Sequence, residues 1–246
     1  MNDDIDDNEQ DDEQERSLSG APVWRHGPRQ SDWTLPEKFG ANLEEIDAHL
    51  QKHVGEVEGV FHEIVSDLVH LDVMWLKVGG DRPYNLLVTS GMSDLPMTVP
   101  EGFEHLRRAE LLIALPQDWP LEQKDFDDDS NFWPIRWLKT LGRFPHEYDT
   151  WLGWGHTIPN GDPPEPIADT NFTGFVLLPP YFLPRDFYQV TTADGETITF
   201  YNIVPLHQEE MDLKLRNGLE ELEERFSQRD IDFIIDVCRP NVAFDF

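Results

Sequence analysis

The stretch GWGHTIPNG, residues 153–161, sets three glycines around Trp154, His156 and Asn160. A histidine in such a window could carry protons, hold a metal or build a contact surface. Three further histidines, His62, His70 and His146, stand near the acids Glu63, Asp72 and Glu147, which is a donor set suited to zinc or iron if the fold gathers it. No pair among the four has H-x-x-x-H or H-x-H spacing, and a single cysteine rules out C-x-x-C. A metal-dependent hydrolase built on His62, His146 and His156 therefore requires convergence in three dimensions and stands as an alternative; the expectation is no metal and no cofactor.

Nucleophiles are equally poorly signalled. Cys238 lies in the apolar run DFIIDVCRP, which predicts a buried, inert thiol. TSGMS lacks the G-x-S-x-G pattern of a hydrolase elbow, so Ser90 and Ser93 read as turn residues that hydrogen-bond the backbone at a strand end. KVGGDRP has neither Walker nor G-x-G-x-x-G spacing, and acids are too numerous for any two to stand out as an acid–base pair. What remains is Trp154 and His156 on a glycine-flanked segment that another chain could approach closely. The competing reading makes His156 a hydrogen-bonded staple for the polar, proline-rich loop that follows.

The elements that must position these residues are legible in part. Residues 1–20 form an acidic block with little to bury, which predicts disorder. Residues 21–41 read as an irregular arm whose Trp24 and Trp33 dock on the domain, and residues 42–246 as the domain itself. N-x-x-E from Asn42, with Leu43, Ile46 and Leu50, predicts a capped helix ending at Gly55. VFHEIV, DLVHLDVMWLKV and YNLLVTSG predict an antiparallel meander, and RRAELLIALP a further strand. A helix follows DFDDDSNF, capped by Ser130 or Asn131, with Pro134 in its first turn and a core stripe of Trp133, Trp137 and Leu141. FTGFVLLPP reads as a buried strand. Asp194-Gly195 signals a type I′ hairpin. The last helix spans about 208–226, with Met211, Leu215, Leu219, Leu222 and Phe226 inward and Gly218 as a possible break. The order predicts one α+β domain with a mixed, largely antiparallel sheet flanked by helices.

Charge narrows the partners. The net charge is −30 over 246 residues. Residues 1–16 hold nine acids against Arg16, net −8, which leaves −22 on the other 230 residues. Such a body repels phosphate backbones and anionic membranes, so neither nucleic acid nor membrane is an expected partner. It would speed association with a basic protein, although an acidic surface that serves only solubility gives the same composition. The start MNDDIDDNEQ has no basic and apolar segments of a signal peptide, and no apolar run is long enough to span a bilayer. A soluble, cytoplasmic protein is expected.

Six stretches in order, FHEIVSDLVHLDV, YNLLVTSGMSDLPMTVPEG, RRAELLIALPQDW, WPIRWLKTLGRFPHEYDTWLGWGHTIPNG, FTGFVLLPP and ITFYNIVPLHQEEMDLKLRNG, together resemble the suppressor-of-fused domain family in its bacterial form, over roughly residues 57–220. The resemblance implies a domain without established catalysis that works by protein recognition. Animal members look like repressors that clamp an extended peptide of a zinc-finger transcription factor of the Hedgehog pathway. Bacterial members are similar to immunity proteins that neutralise toxins, often nucleases. Phe144 falls at the family's groove aromatic, whereas Gly155 stands where the animal proteins carry an acid, and the chain looks too short for their second, closing domain. The expected function is thus a non-catalytic immunity protein for a cognate, basic toxin, with transcription-factor sequestration as the alternative. The expected contact surface joins Phe144, Trp151, Trp154, His156, Thr157, Asn160 and Gly161 to the TSGMSD turn at 89–94, through Ser90, Met92 and Asp94.

Overall fold

YNLLVTS and AELLIALP have no polar face, and the strands they form, β3 (Tyr84–Ser90) and β4 (Ala109–Pro116), are buried along almost their whole length. Such runs need cover on both sides of a sheet. The computed structural model, which describes residues 14–29, 32–36, 38–80 and 82–244, supplies it. The remaining strands are β1 (Gly59–Phe61), β2 (Asp72–Leu76), β5 (Thr157–Pro159), β6 (Gly174–Leu178), β7 (Gln189–Thr191) and β8 (Thr197–Leu206). They form one sheet in the order β1-β2-β3-β4-β8-β6-β5, with β7 beside the start of β8. Among the described strands β4 and β8 pair in parallel, through Ala109↔Thr199 to Leu112↔Asn202, and the other pairs are antiparallel. This is the α+β architecture with a mixed, largely antiparallel sheet that the element order predicts.

Alternation along the strands divides the core. On β4, Leu111, Ile113 and Leu115 face α2 (Asp129–Glu147), whose Trp133, Leu138 and Leu141 pack on them. Leu112 and Ala114 turn the other way, towards Ile46 and Leu50 of α1 (Leu43–His53). Further along that second face, Val176, Leu178, Val204 and Leu206 are covered by α3 (Gln208–Asn217) and α4 (Leu219–Gln228). Each buried Leu, Ile or Phe contributes on the order of 2 kcal/mol of transfer free energy, so the two covered faces hold the sheet.

Several local expectations need correction. Asp128 caps α2 by accepting from the Ser130 amide at 3.0 Å, because the acid one turn before the apolar stripe already fills that role, and Pro134 sits in the second turn. Asn42 does not cap α1; its amide donates to the Ser93 carbonyl and hydroxyl at 3.0 and 3.2 Å. The Asp194-Gly195 hairpin closes through a three-residue loop, with Thr192 N–H bonded to Glu196 O at 2.9 Å and only Gly195 left-handed, so it is not a type I′ turn. Gly218 does split the last helix, but Leu215 is exposed. Cys238 is exposed, because its run packs as irregular chain after α4 and not as a core strand.

The arm docks by different residues from those expected. Trp24 and Trp33 are about half exposed, while His26 meets the rings of Phe144 and Tyr148 and Arg29 pairs with Asp67. Of the acidic block expected to be disordered, residues 1–13 lie outside the described residues; within residues 14–20, Ser19 N–H donates to Leu215 O at 3.0 Å.

Candidate partner-binding site

Between α2 and β5 the chain makes a pinned turn. Gly155 N–H donates to Leu177 O at 2.8 Å, Leu177 N–H to His156 O at 3.0 Å, and His156 N–H to Gly153 O at 3.1 Å, so the turn continues the β5–β6 ladder. Gly155 has φ +77°, a left-handed conformation that favours glycine, and a Cβ there would stand 2.8 Å from Leu219 Cδ2, so the leucine tip would have to move. Leu152, Gly153 and Gly155 are buried, yet Trp154 between them is 58% exposed. The sequence thus fixes the backbone and directs one large indole outward.

Aromatic groups gather around that indole. Beside it stands Tyr181, whose hydroxyl donates to Glu223 Oε1 at 2.6 Å. Burial and the Glu223 carboxylate hold the Tyr181 phenol above its usual range. Burial also pushes Tyr201 up to about 12, against a hydrogen bond with the Trp154 backbone. A cavity of about 560 Å³ opens beside Trp154, lined by Leu106, Pro179, Arg185, Tyr188 and Tyr201 among others.

His156 is half-buried, with Trp151 edge-on to its ring at 4.4 Å. Burial, with the Lys214 charge adding, brings its pKa down to about 4 against a hydrogen bond to the Trp151 backbone. The imidazole is therefore neutral at pH 7, able to donate or accept a hydrogen bond but not to supply charge. Thr157 is half-buried at the start of β5. Asn160 is a staple: its amide donates to Glu165 O and Pro166 O at 2.9 and 3.1 Å, which closes the loop after β5, and Gly161 is exposed beside it. The staple role weighed for His156 thus falls to Asn160. Phe144 belongs to a neighbouring cluster, with His26 and Tyr148 as its ring contacts.

The turn at 89–94 does not join this surface. Ser90, Met92 and Asp94 are 5%, 0% and 1% exposed, so in this conformation they cannot meet a partner. The reason is a buried carboxylate that sequence alone did not single out. Glu110 on β4 accepts from Thr89 Oγ1 (2.5 Å), Gly91 N–H (3.1 Å), Ser93 N–H (3.0 Å) and Ser93 Oγ (2.7 Å), and so draws the turn inward. Burial holds Glu110 above the usual carboxylate range, partly offset by those bonds. Asp94 is likewise raised by burial, against the amides of Asn42 and Gly40. An acid in the unbroken apolar run AELLIALP was the available signal for Glu110.

The histidines of the hydrolase alternative do not converge. His62 pairs with Asp72 at 2.9 Å, His146 Nε2 lies 3.1 Å from Met92 O, and His156 meets Trp151 edge-on. Among the described residues no three His, Cys, Asp or Glu side chains are grouped to hold a metal. His49 and His53, spaced i,i+4, sit with rings 4.6 Å apart, and His49 bonds Phe187 O inside the core. Tyr181 was also missed; its only signal was aromatic density in PPYFLPRDFY.

With this geometry in hand, a family profile described as Suppressor of fused protein (SUFU) matches residues 67–240. The chain belongs to that family. Among curated proteins, an uncharacterized protein of Ureaplasma parvum serovar 3 is 27% identical over 120 residues, which are 48% of this chain and 55% of that protein. The chain thus spans about half the length of that relative. Among solved structures, a suppressor-of-fused homolog from Neisseria gonorrhoeae superposes with a TM-score of 0.59 at 19% identity, over 82% of this chain and 97% of its own. A Sufu–Fu complex gives 0.61 at 15% identity, over 83% and 93%. Drosophila Suppressor of Fused gives 0.54 at 15%, over 80% and 51%. At these identities the structures establish the suppressor-of-fused fold and nothing finer. Among the described residues no helix is long and apolar enough to cross a membrane.

Proposed function

We propose that this suppressor-of-fused protein acts by binding another protein and not by turnover, as a cytoplasmic immunity protein that neutralises a basic toxin, with residues 42–246 as the binding unit. The observation that carries the proposal is Trp154: an indole more than half exposed on a backbone locked by hydrogen bonds and followed by a left-handed glycine. Rigid aromatic anchors of this kind dominate binding energy at protein interfaces. The relative solved as a Sufu–Fu complex is a precedent for the fold with a protein partner. The surface we assign comprises Phe144, Trp151, Trp154, His156, Thr157, Asn160 and Gly161; Ser90, Met92 and Asp94, buried in the separate turn at 89–94, are left out of it.

The net charge of −30 favours a cationic partner such as a nuclease and predicts an on-rate that falls steeply with salt. Affinity capture from the native host at low and high salt, with the bound proteins identified by mass spectrometry, tests the proposal. One basic protein, held at low salt and lost when Trp154 and His156 are both replaced by alanine, is the expected result. A captured transcription factor would replace the toxin reading with sequestration, and capture of the same protein by the double variant would overturn the assigned surface.

A further inference from the structure

A second cavity, distinct from the one that Trp154 lines, has Tyr181 in its wall. Its volume is about 540 Å³, within the usual range for ligand pockets, and its walls are Tyr181, Glu223, Ser227, Asp230, Ile231 and Phe233. Two aromatic rings, Tyr181 and Phe233, stand 6.0 Å apart at 48°, and two carboxylates border them. No lysine or arginine lines the cavity, and neither Glu223 nor Asp230 is ion-paired among the described residues. On the same helix Arg225 is engaged by Glu221 at 2.7 Å and by the carbonyls of Val242 and Ala243.

The backbone of the wall is costly. Helix α4 ends with Asp230 N–H on Ser227 O at 3.2 Å and Ile231 N–H on Phe226 O at 3.0 Å, an arrangement whose left-handed residue is ordinarily glycine or asparagine. Here that residue is Asp230, at φ +50°, and Phe233 is also left-handed, at φ +64°. Left-handed geometry costs roughly 1–2 kcal/mol for a residue with a side chain. Two of the six wall residues thus carry a conformational cost, and both turn a recognition group, a carboxylate or a ring, towards the same cavity.

We propose that this cavity is a socket for an arginine side chain of the bound protein, its guanidinium laid against the cavity-facing side of the Tyr181 and Phe233 rings and paired with Glu223 and Asp230. A guanidinium stacks on aromatic faces and offers planar donors to carboxylates, a combination that an ammonium or a neutral side chain does not match. Tyr181 already donates its hydroxyl proton to Glu223, which fixes that carboxylate while leaving it an acceptor. The socket adjoins the Trp154 surface through Tyr181, so one partner segment could fill both. It rests on the reading of this protein as a binder of a basic partner, and it supplies that partner's chemistry.

The test needs no partner. N-acetyl-arginine amide is titrated into the full chain at low salt and followed by amide and methyl NMR, with N-acetyl-citrulline amide as the uncharged isostere. The expected result is saturable shifts at Ser227, Ile231 and Phe233 with the arginine compound and none with citrulline. Glu223→Gln and Asp230→Gly should each weaken binding about tenfold or more. Asp230→Gly also separates the roles, because it removes the carboxylate and relieves the backbone, so it should raise the melting temperature while binding falls. Equal shifts with citrulline, no saturable shift, or full binding by Asp230→Gly would overturn the socket. Each of those results leaves the Trp154 surface to be judged by capture.

Discussion

Two glycine-bearing turns, TSGMSD at 89–94 and GWGH at 153–156, end strands or helices in similar sequence language and have opposite fates. The first is drawn inward by the Glu110 carboxylate, which takes four hydrogen bonds from its backbone and hydroxyls. The second is pinned by backbone bonds to Leu177 and leaves its indole in solvent. The difference shows that glycine and a polar residue in a turn report a constrained backbone, not exposure. What decides exposure is the group waiting beneath: an unpaired carboxylate pulls a turn in, whereas closed backbone bonds leave a side chain free to face outward.

The sharpest way to break this comparison is at Gly91. It has φ +116°, and a Cβ would lie 1.9 Å from the His70 carbonyl oxygen, so Gly91→Ala should cost above about 4 kcal/mol and lower the melting temperature by roughly 10 °C or more. Glu110→Ala strands two amides and two hydroxyls in the core and should cost about 3–5 kcal/mol in urea unfolding.

Acid should act next, through His146 and His156. Both have folded pKa values of about 4, below the value of about 6.5 in an unfolded chain, so the unfolded state takes up the proton first. Their contribution is whole above pH 6.5 and is lost as pH falls towards 4, by about 1–2 kcal/mol each at pH 5. His156→Gln should flatten that slope in unfolding curves between pH 7 and 5. An unchanged slope would mean that the imidazole is not held neutral. Trp154→Ala, at the far end of the scale, should shift stability by less than about 0.5 kcal/mol.

How much of this was legible in the sequence follows the same division. β3, β4, α2 and the split at Gly218 could be read because apolar runs and periodicity reflect burial directly. The family could be read from ordered motifs. The inward fate of Met92 and Asp94 could not, because it depends on Glu110, about twenty residues away in the chain and across a strand pair. The exposure of Cys238 escapes the sequence for a related reason: DFIIDVC is apolar enough for a core strand, but β4 has neighbours on both sides, β3 and β8, and among the described residues of that run Ile234 alone bridges to Ala114. The Tyr181 cluster was hidden because its members come from residues 154, 181, 223 and 233, and only the packing of α4 against the end of β6 brings them together.

The most direct test of the central claim sets the two turns side by side against the captured partner, measuring binding affinity and melting temperature for Trp154→Ala and Met92→Ala. Trp154→Ala should weaken binding by about tenfold or more with the melting temperature unchanged, whereas Met92→Ala should lose about 2–5 kcal/mol of stability and keep its affinity. Loss of affinity confined to Met92→Ala would contradict the account and move the partner to the other turn.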